Sequence, residues 1–150
     1  MRESIIKLIS RLIKQKFVYV GVPVIIQNSK KEILLEKRDS KVLSYPNTWC
    51  LPGGMADYGE HIETTVEREI KEELGVNVKI IKRSLNVYQN IPNKENIFHS
   101  VDIPFYARII KGVPKAEDET SEVRWFKPSE IKGMKLAYSH KELLNGEGLI

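Results

Sequence analysis

The sequence predicts a mixed α/β fold, either α+β or an α/β/α arrangement. Three observations carry that expectation. Short runs rich in Val, Ile and aromatic residues recur between turn residues, as strands require. Two or three other segments keep helical spacing instead. No repeat, low-complexity tract or long linker separates them, so strands and helices share one core. With 150 residues and 41% hydrophobic content, residues 1–150 suffice for a single domain that folds alone.

The first segment, 4–16, reads SIIKLISRLIKQK. Ile5, Ile6, Leu8, Ile9, Leu12 and Ile13 follow helical spacing, with Lys7, Ser10, Arg11 and Lys14 largely opposite. This predicts an amphipathic helix (1–16) outside the main pattern, packed on its own domain or across a homodimer interface. A helix lying on a membrane surface is the alternative. The run is too broken for a signal-peptide core and too short to span a bilayer.

Phe17 to Gln27 reads as a strand, and Pro23 inside it predicts an edge position or a bulge. Asn28 to Lys31 makes a turn. Glu32 to Lys37 then returns as a second strand, so the two are expected to form a hairpin. After a loop over 39–48, Trp49-Cys50-Leu51 runs into Pro52-Gly53-Gly54. A helix is predicted from about Glu60 to Leu74, closed by Gly75. Val76 to Gln89 is a strand with a bend near Arg83-Ser84. Phe98 to Ile110 is a long strand interrupted by Pro104, and Ser121 to Lys127 is another. Pro128 and Ser129 begin a short turn or helix. Lys135 to Leu144 is predicted helical, burying Leu136, Ala137, Leu143 and Leu144.

Net charge is +4 and the pI about 9.1, from lysines spread along the chain. That suits a phosphate-rich small molecule as well as plain solubility, and no massed basic tail marks a stable nucleic-acid complex. The lone cysteine, Cys50, excludes an internal disulfide, offers no cysteine metal pattern and fits a reducing cytoplasm.

The central helix carries the chemistry. At 100° per residue, with Glu69 at zero, Glu73 lies at about 40° and Glu72 at about 300°. Ile62, Val66, Ile70 and Leu74 form the core stripe between about 20° and 140°, so the acids sit beside the buried face. Like charges at these spacings repel by about 0.2–0.5 kcal/mol per pair even in water. They also lie near the negative end of the helix macrodipole. Arg68 can pair with Glu72, but one guanidinium does not balance three acids. A cation would. Oxygen donors without a His or Cys cluster point to Mg²⁺ or Mn²⁺, which also favour phosphate oxygens. Such an ion can lower the pKa of an attacking water.

The spacing Gly54, Glu60, Arg68-Glu69-Ile70, Glu72-Glu73, Gly75-Val76 fills every fixed position of a known signature. It resembles the Nudix box of the MutT-type hydrolases. The wider order, with Trp49-x-Leu-Pro-Gly-Gly before the box and Trp125-Phe126 before Pro128, resembles the same family over about 17–144. The resemblance implies an α/β/α sandwich with a mixed sheet, and hydrolysis of a nucleoside diphosphate linked to another moiety. Glu72 and Glu73 match its principal metal ligands, and the Gly53 carbonyl matches a backbone ligand. Glu69 matches a position that binds metal or serves or orients the general base. Arg68 matches the arginine that fixes the glutamates, and Glu60 a secondary metal or structural acid. A further carboxylate before a late strand is expected from Glu119, with Glu122 second.

Weaker signals bear on substrate. Arg38 can contact phosphates, and Tyr45, His140 and other ring side chains can stack on a base. Pro92, sixteen residues after Val76, resembles a marker of ADP-ribose-hydrolysing members. The motif of the NADH-cleaving branch is absent. The reading that follows is a nucleotide hydrolase for (deoxy)nucleoside triphosphates, with ADP-ribose or another sugar nucleotide as the alternative. Two rivals are a non-catalytic nucleotide sensor and an isopentenyl-diphosphate isomerase using Cys50; the intact box argues against both.

Overall fold

The computed structural model describes residues 2–13 and 16–150, with side chains described over 4–9 and from Lys16 onward. It is a mixed α/β structure with two sheets between helical layers.

Strand β1 (Val18–Ile26) is the centre of the larger sheet. Its first half pairs in parallel with β7 (His99–Asp102) and its second half with β8 (Phe105–Lys111), both in one register. β7 and β8 are thus one run of chain, broken at Ile103-Pro104 where the sequence predicts it. β5 (Asn77–Arg83) lies antiparallel on β8, and β6 (Tyr88–Asn90) antiparallel on β7. The expected bend near Arg83-Ser84 separates those two. On its other side β1 pairs with β4 (Gly53–Met55). The smaller sheet has the order β3 (Trp49–Cys50), β2 (Ile33–Arg38), β9 (Thr120–Phe126), all antiparallel.

Two expectations are corrected here. β1 and β2 do not form a hairpin ladder; they meet at a single bridge, Gln27 to Ile33, and then separate into different sheets. The segment 49–55 takes the inner position on both, with β3 on β2 and β4 on β1. Pro23 is neither at an edge nor in a bulge. It falls in the gap between the β7 and β8 ladders, level with the Ile103-Pro104 break, so its missing N–H removes no bond from a continuous ladder.

Period-2 alternation buries both faces. Val22, Val24 and Ile26 of β1 and Leu34 of β2 join Val66, Ile70 and Leu74 of helix α2 (Ile62–Leu74). Ile25, Ile33 and Leu35 point the other way, to Ile131 of α3 (Pro128–Lys132) and Leu143 and Leu144 of α4 (His140–Gly146). Gly75 closes α2 in the left-handed region, at φ 69°. α4 starts later than the spacing predicts. Leu136 instead bridges to Trp49, and the Ala137 N–H donates to the Trp49 carbonyl. Leu136, Ala137, Leu143 and Leu144 are all buried as expected.

The amphipathic helix α1 spans Arg2–Ile13. Among its described side chains Ile6 is half-buried, whereas Ile5, Leu8 and Ile9 are exposed. The expectations for Ser10, Arg11, Leu12, Ile13 and Lys14 concern side chains outside the described residues. Among the described residues no helix is long and apolar enough to cross a membrane.

Candidate active site

The separation of β1 from β2 opens a cleft. Gly21, Val22 and Pro23 line it from β1, Glu36 and Arg38 from β2, and Gly53 and Gly54 from the segment threaded between them. Glu69, Glu72 and Glu73 enter from α2, and Glu119 from the loop before β9. Five of the expected metal-binding positions, Gly53, Glu69, Glu72, Glu73 and Glu119, therefore line one cleft.

The α2 acids are unequal. Glu69 and Glu73 are buried, while the Glu72 side chain is 48% exposed. The helical angles explain this, since Glu72 lies on the far side of Glu69 from the core stripe. Arg68 donates through Nε and Nη2 to both oxygens of Glu60, at 2.8 and 2.9 Å, and through Nη1 to Glu69 at 2.8 Å. A longer contact of 3.4 Å reaches Glu72. Glu60 also accepts from the Asp57 N–H and the Thr65 hydroxyl. It therefore anchors Arg68 in a planar fork, and Arg68 in turn holds Glu69. Arg68 itself does not line the cleft. The bond with Glu60, then those with Glu69, push its pKa still higher.

Gly54 permits this arrangement. A methyl group there would overlap the Glu69 carboxylate. Gly53 lies at φ 132°, and its N–H donates to Glu73 at 3.0 Å.

A carboxylate that sequence reasoning missed lies beneath these acids. Glu36 is 2% exposed on β2 and faces α2 by the same alternation that points Leu34 there. It accepts from the Thr120 hydroxyl at 3.1 Å and lies near the Cys50 thiol at 3.7 Å. Burial raises the Glu36 and Glu73 carboxyls first, and Glu36 and Glu69 then raise Glu73 further. A signal existed: an acid in ILLEKR, a strand buried on both faces, has no route to solvent. Burial, and then Glu36, likewise push the Cys50 thiol up, which opposes a nucleophilic role.

The remaining expected residues divide. Glu119 lines the cleft; Glu122 is exposed on β9 opposite Lys37. Arg38 lines it too, with Nε bonded to the Ser44 carbonyl at 2.7 Å and its guanidinium over the Tyr138 ring. His140 is buried at the cleft wall, and its Nδ1 accepts the Leu51 N–H at 3.0 Å. Burial, with Arg38 adding to it, lowers its pKa to about 3, so the ring is neutral with its proton on Nε2. Tyr45 stacks edge-on behind Tyr138 and does not line the cleft. Pro92 lies in the exposed loop between β6 and β7.

The donors that could hold a cation are carboxylates of Glu69, Glu72, Glu73 and Glu119 with the Gly53 carbonyl. All are hard oxygens, the set that suits Mg²⁺ or Mn²⁺, and the crowding of Glu36, Glu69 and Glu73 favours a positive charge beside them. Among the described residues no three acid, His or Cys side chains already converge at ligand spacing. Arg68 and the Gly53 N–H hold Glu69 and Glu73 instead.

These features define an α/β protein with an acid-lined cleft of oxygen donors. The NUDIX domain family model matches residues 18–145, and the chain belongs to that family. An ADP-ribose pyrophosphatase of Methanocaldococcus jannaschii is 33% identical over 125 residues, covering 83% of this chain and 70% of that protein. The nucleoside triphosphatase NudI of Escherichia coli is 23% identical over 133 residues, covering 84% of this chain and 94% of that protein. The crystal structure of a MutT protein from Methanosarcina mazei Go1 superposes with a TM-score of 0.75 at 24% identity, covering 89% of this chain and 97% of that one.

Proposed function

We propose that this chain hydrolyses a diphosphate linkage in a small nucleotide derivative, with ADP-ribose or another nucleotide sugar as the leading substrate class. The observation that carries the reaction is the meeting, in one cleft, of Gly53, Glu69, Glu72 and Glu73 with Glu119 from a distant loop. For substrate, length and the single domain put nucleoside triphosphates first. Pro92 and the similarity to the Methanocaldococcus jannaschii pyrophosphatase reverse that order. The triphosphate reading keeps support from the similarity to NudI, which extends over nearly all of that protein.

A bound Mg²⁺ or Mn²⁺ would neutralise phosphate charge and lower the pKa of the attacking water. The chain's own residues do the rest. Glu72 and Glu73, with Glu119 and the Gly53 carbonyl, would hold the cation. Glu69, oriented by Arg68, accepts the water proton as the oxygen–phosphorus bond forms and the bridging phosphorus–oxygen bond breaks. Arg38 meets phosphate oxygens, and the Tyr138–His140 wall meets the nucleoside. We read it as a cytoplasmic enzyme.

The test is release of phosphate-bearing products from ADP-ribose, nucleotide sugars, nucleoside triphosphates and dinucleoside polyphosphates, with Mg²⁺ and with Mn²⁺. Glu73→Gln and Glu72→Gln are each expected to lower kcat by roughly 10³-fold, since metal stabilisation of the transition state is worth several kcal/mol. Full activity in either variant, with the fold intact, would sink the assignment.

A further inference from the structure

Asp102 lies in the same cleft and takes no part in the hydrolysis described above. It is 5% exposed, on β7, across β1 from the glycine segment. Its Oδ1 accepts the Ser100 hydroxyl at 2.9 Å and its Oδ2 accepts the Asn90 amide at 2.7 Å. Asn90 cannot turn its amide over, because its Oδ1 accepts the Ser139 N–H at 2.7 Å. Both neighbours therefore hold Asp102 as an acceptor, and each carboxylate oxygen keeps a lone pair to spare. Room for the group is made by Gly21, where a methyl would overlap Oδ1. Beside it Phe98 contributes an apolar wall.

Position decides what this acceptor can read. Asp102 pairs with Gly21, and Gly53 pairs with Pro23, on opposite sides of β1. Two strand spacings across and two residues along put it about 12 Å from the Gly53 end of the cleft. That is the span from the α-phosphate of a nucleotide to the far edge of its base, beyond the reach of the ribose. Burial raises the Asp102 carboxyl, and the Ser100 and Asn90 donors oppose that rise. A third donor from a ligand acts in the same sense as theirs.

We propose that Asp102, oriented by Asn90 and Ser100, determines base specificity by accepting a hydrogen bond from an exocyclic amine of the substrate's base. The inference rests on the nucleotide-hydrolase reading. A hydrogen at that edge lacks the donor, and a carbonyl faces the carboxylate with like polarity.

The test uses matched substrates that differ in the amine alone: ADP-ribose against its purine-riboside analogue, ATP against purine riboside triphosphate, and GTP against ITP. Wild-type protein with Mg²⁺ is expected to favour the amine-bearing member by about tenfold or more in kcat/KM in at least one pair, the worth of a hydrogen bond to a charged group. Asp102→Asn, of equal size, is expected to flatten that ratio to within about threefold. Ser100→Ala, which removes one orienting donor, narrows it in part, and thermal melting checks that both variants fold. Equal preference in the wild type, or an equal loss on every substrate in Asp102→Asn, overturns the proposal. If no substrate is turned over with either metal, the hydrolase reading fails separately. The same ratios measured by calorimetric binding of ADP-ribose, ATP, GTP and their analogues then decide the role of Asp102.

Discussion

At Gly54 and His140, single residues set what the cleft can do. Gly54 leaves the space that the Glu69 carboxylate occupies. Gly54→Ala is expected to displace Glu69 and lower kcat by roughly 100-fold, the cost of about 1 Å of misplacement at a reacting centre. Circular dichroism should show the fold retained, and steady-state kinetics measures the loss. His140 is held neutral by burial, with its pKa lowered from 6.5 to about 3, and the Arg38 charge adds to that lowering. Between those values the unfolded chain binds the extra proton and the folded chain does not. The stability that His140 contributes is therefore full above pH 6.5 and is lost as pH falls toward 3. The raised Glu36 and Glu73 carboxyls act in the opposite sense over this window, so the His140 part is read by difference: the urea midpoint of the wild type relative to His140→Gln should fall from pH 7 to 5.5 to 4.

On the scale of elements, two polar clamps tie helices to sheets. Arg68 binds α2 to the turn before it through Glu60, a tie at the helix start where His61 offers no side-chain cap. At the other end of the molecule Glu147, just past α4, accepts from Ser84, Asn86 and Tyr88 through Oε1 and from Tyr106 through Oε2. Burial works against its charge, but these bonds hold the Glu147 carboxyl below its usual value. Glu147→Ala strands several donors and is expected to cost about 1–3 kcal/mol of stability, read from urea unfolding. Its kcat should stay within about twofold, since the residue is outside the cleft. Neither clamp is legible in spacing. Glu60 and Arg68 lie two turns apart on paper, and Ser84, Tyr106 and Glu147 come from three separate stretches of sequence. The buried stripe of α2 was legible, because a 3.6-residue period needs no partner to be seen.

On the scale of the whole molecule, the proposed cation site exists only in the folded state, where acids distant in sequence meet in one cleft. A ligand that binds only the folded chain stabilises it by RT ln(1 + [L]/Kd), about 2.7 kcal/mol at a hundredfold excess over Kd. For a chain of this size that raises Tm by roughly 5–10 °C. Mg²⁺ or Mn²⁺ should give this shift in calorimetry, EDTA should abolish it, and Glu73→Gln should weaken it. An unchanged Tm at millimolar metal would argue against the site.

The sequence by itself determined the mixed α/β class, the helix with its three glutamates, the glycine turn before it and the family resemblance. Those features are local: period, capping and spacing are written in neighbouring residues. It misjudged the β1–β2 hairpin because a turn with two flanking strands says nothing about a third segment competing for their edges. Only the tertiary structure drew 49–55 into that gap, opened the cleft, and set Glu36 under Glu73 and Asp102 across from Gly21. Alternation along a strand tells which face a side chain takes. Which distant strand lies beside it is settled by non-local hydrogen bonding and packing, and there the Asp102 side of this cleft was made.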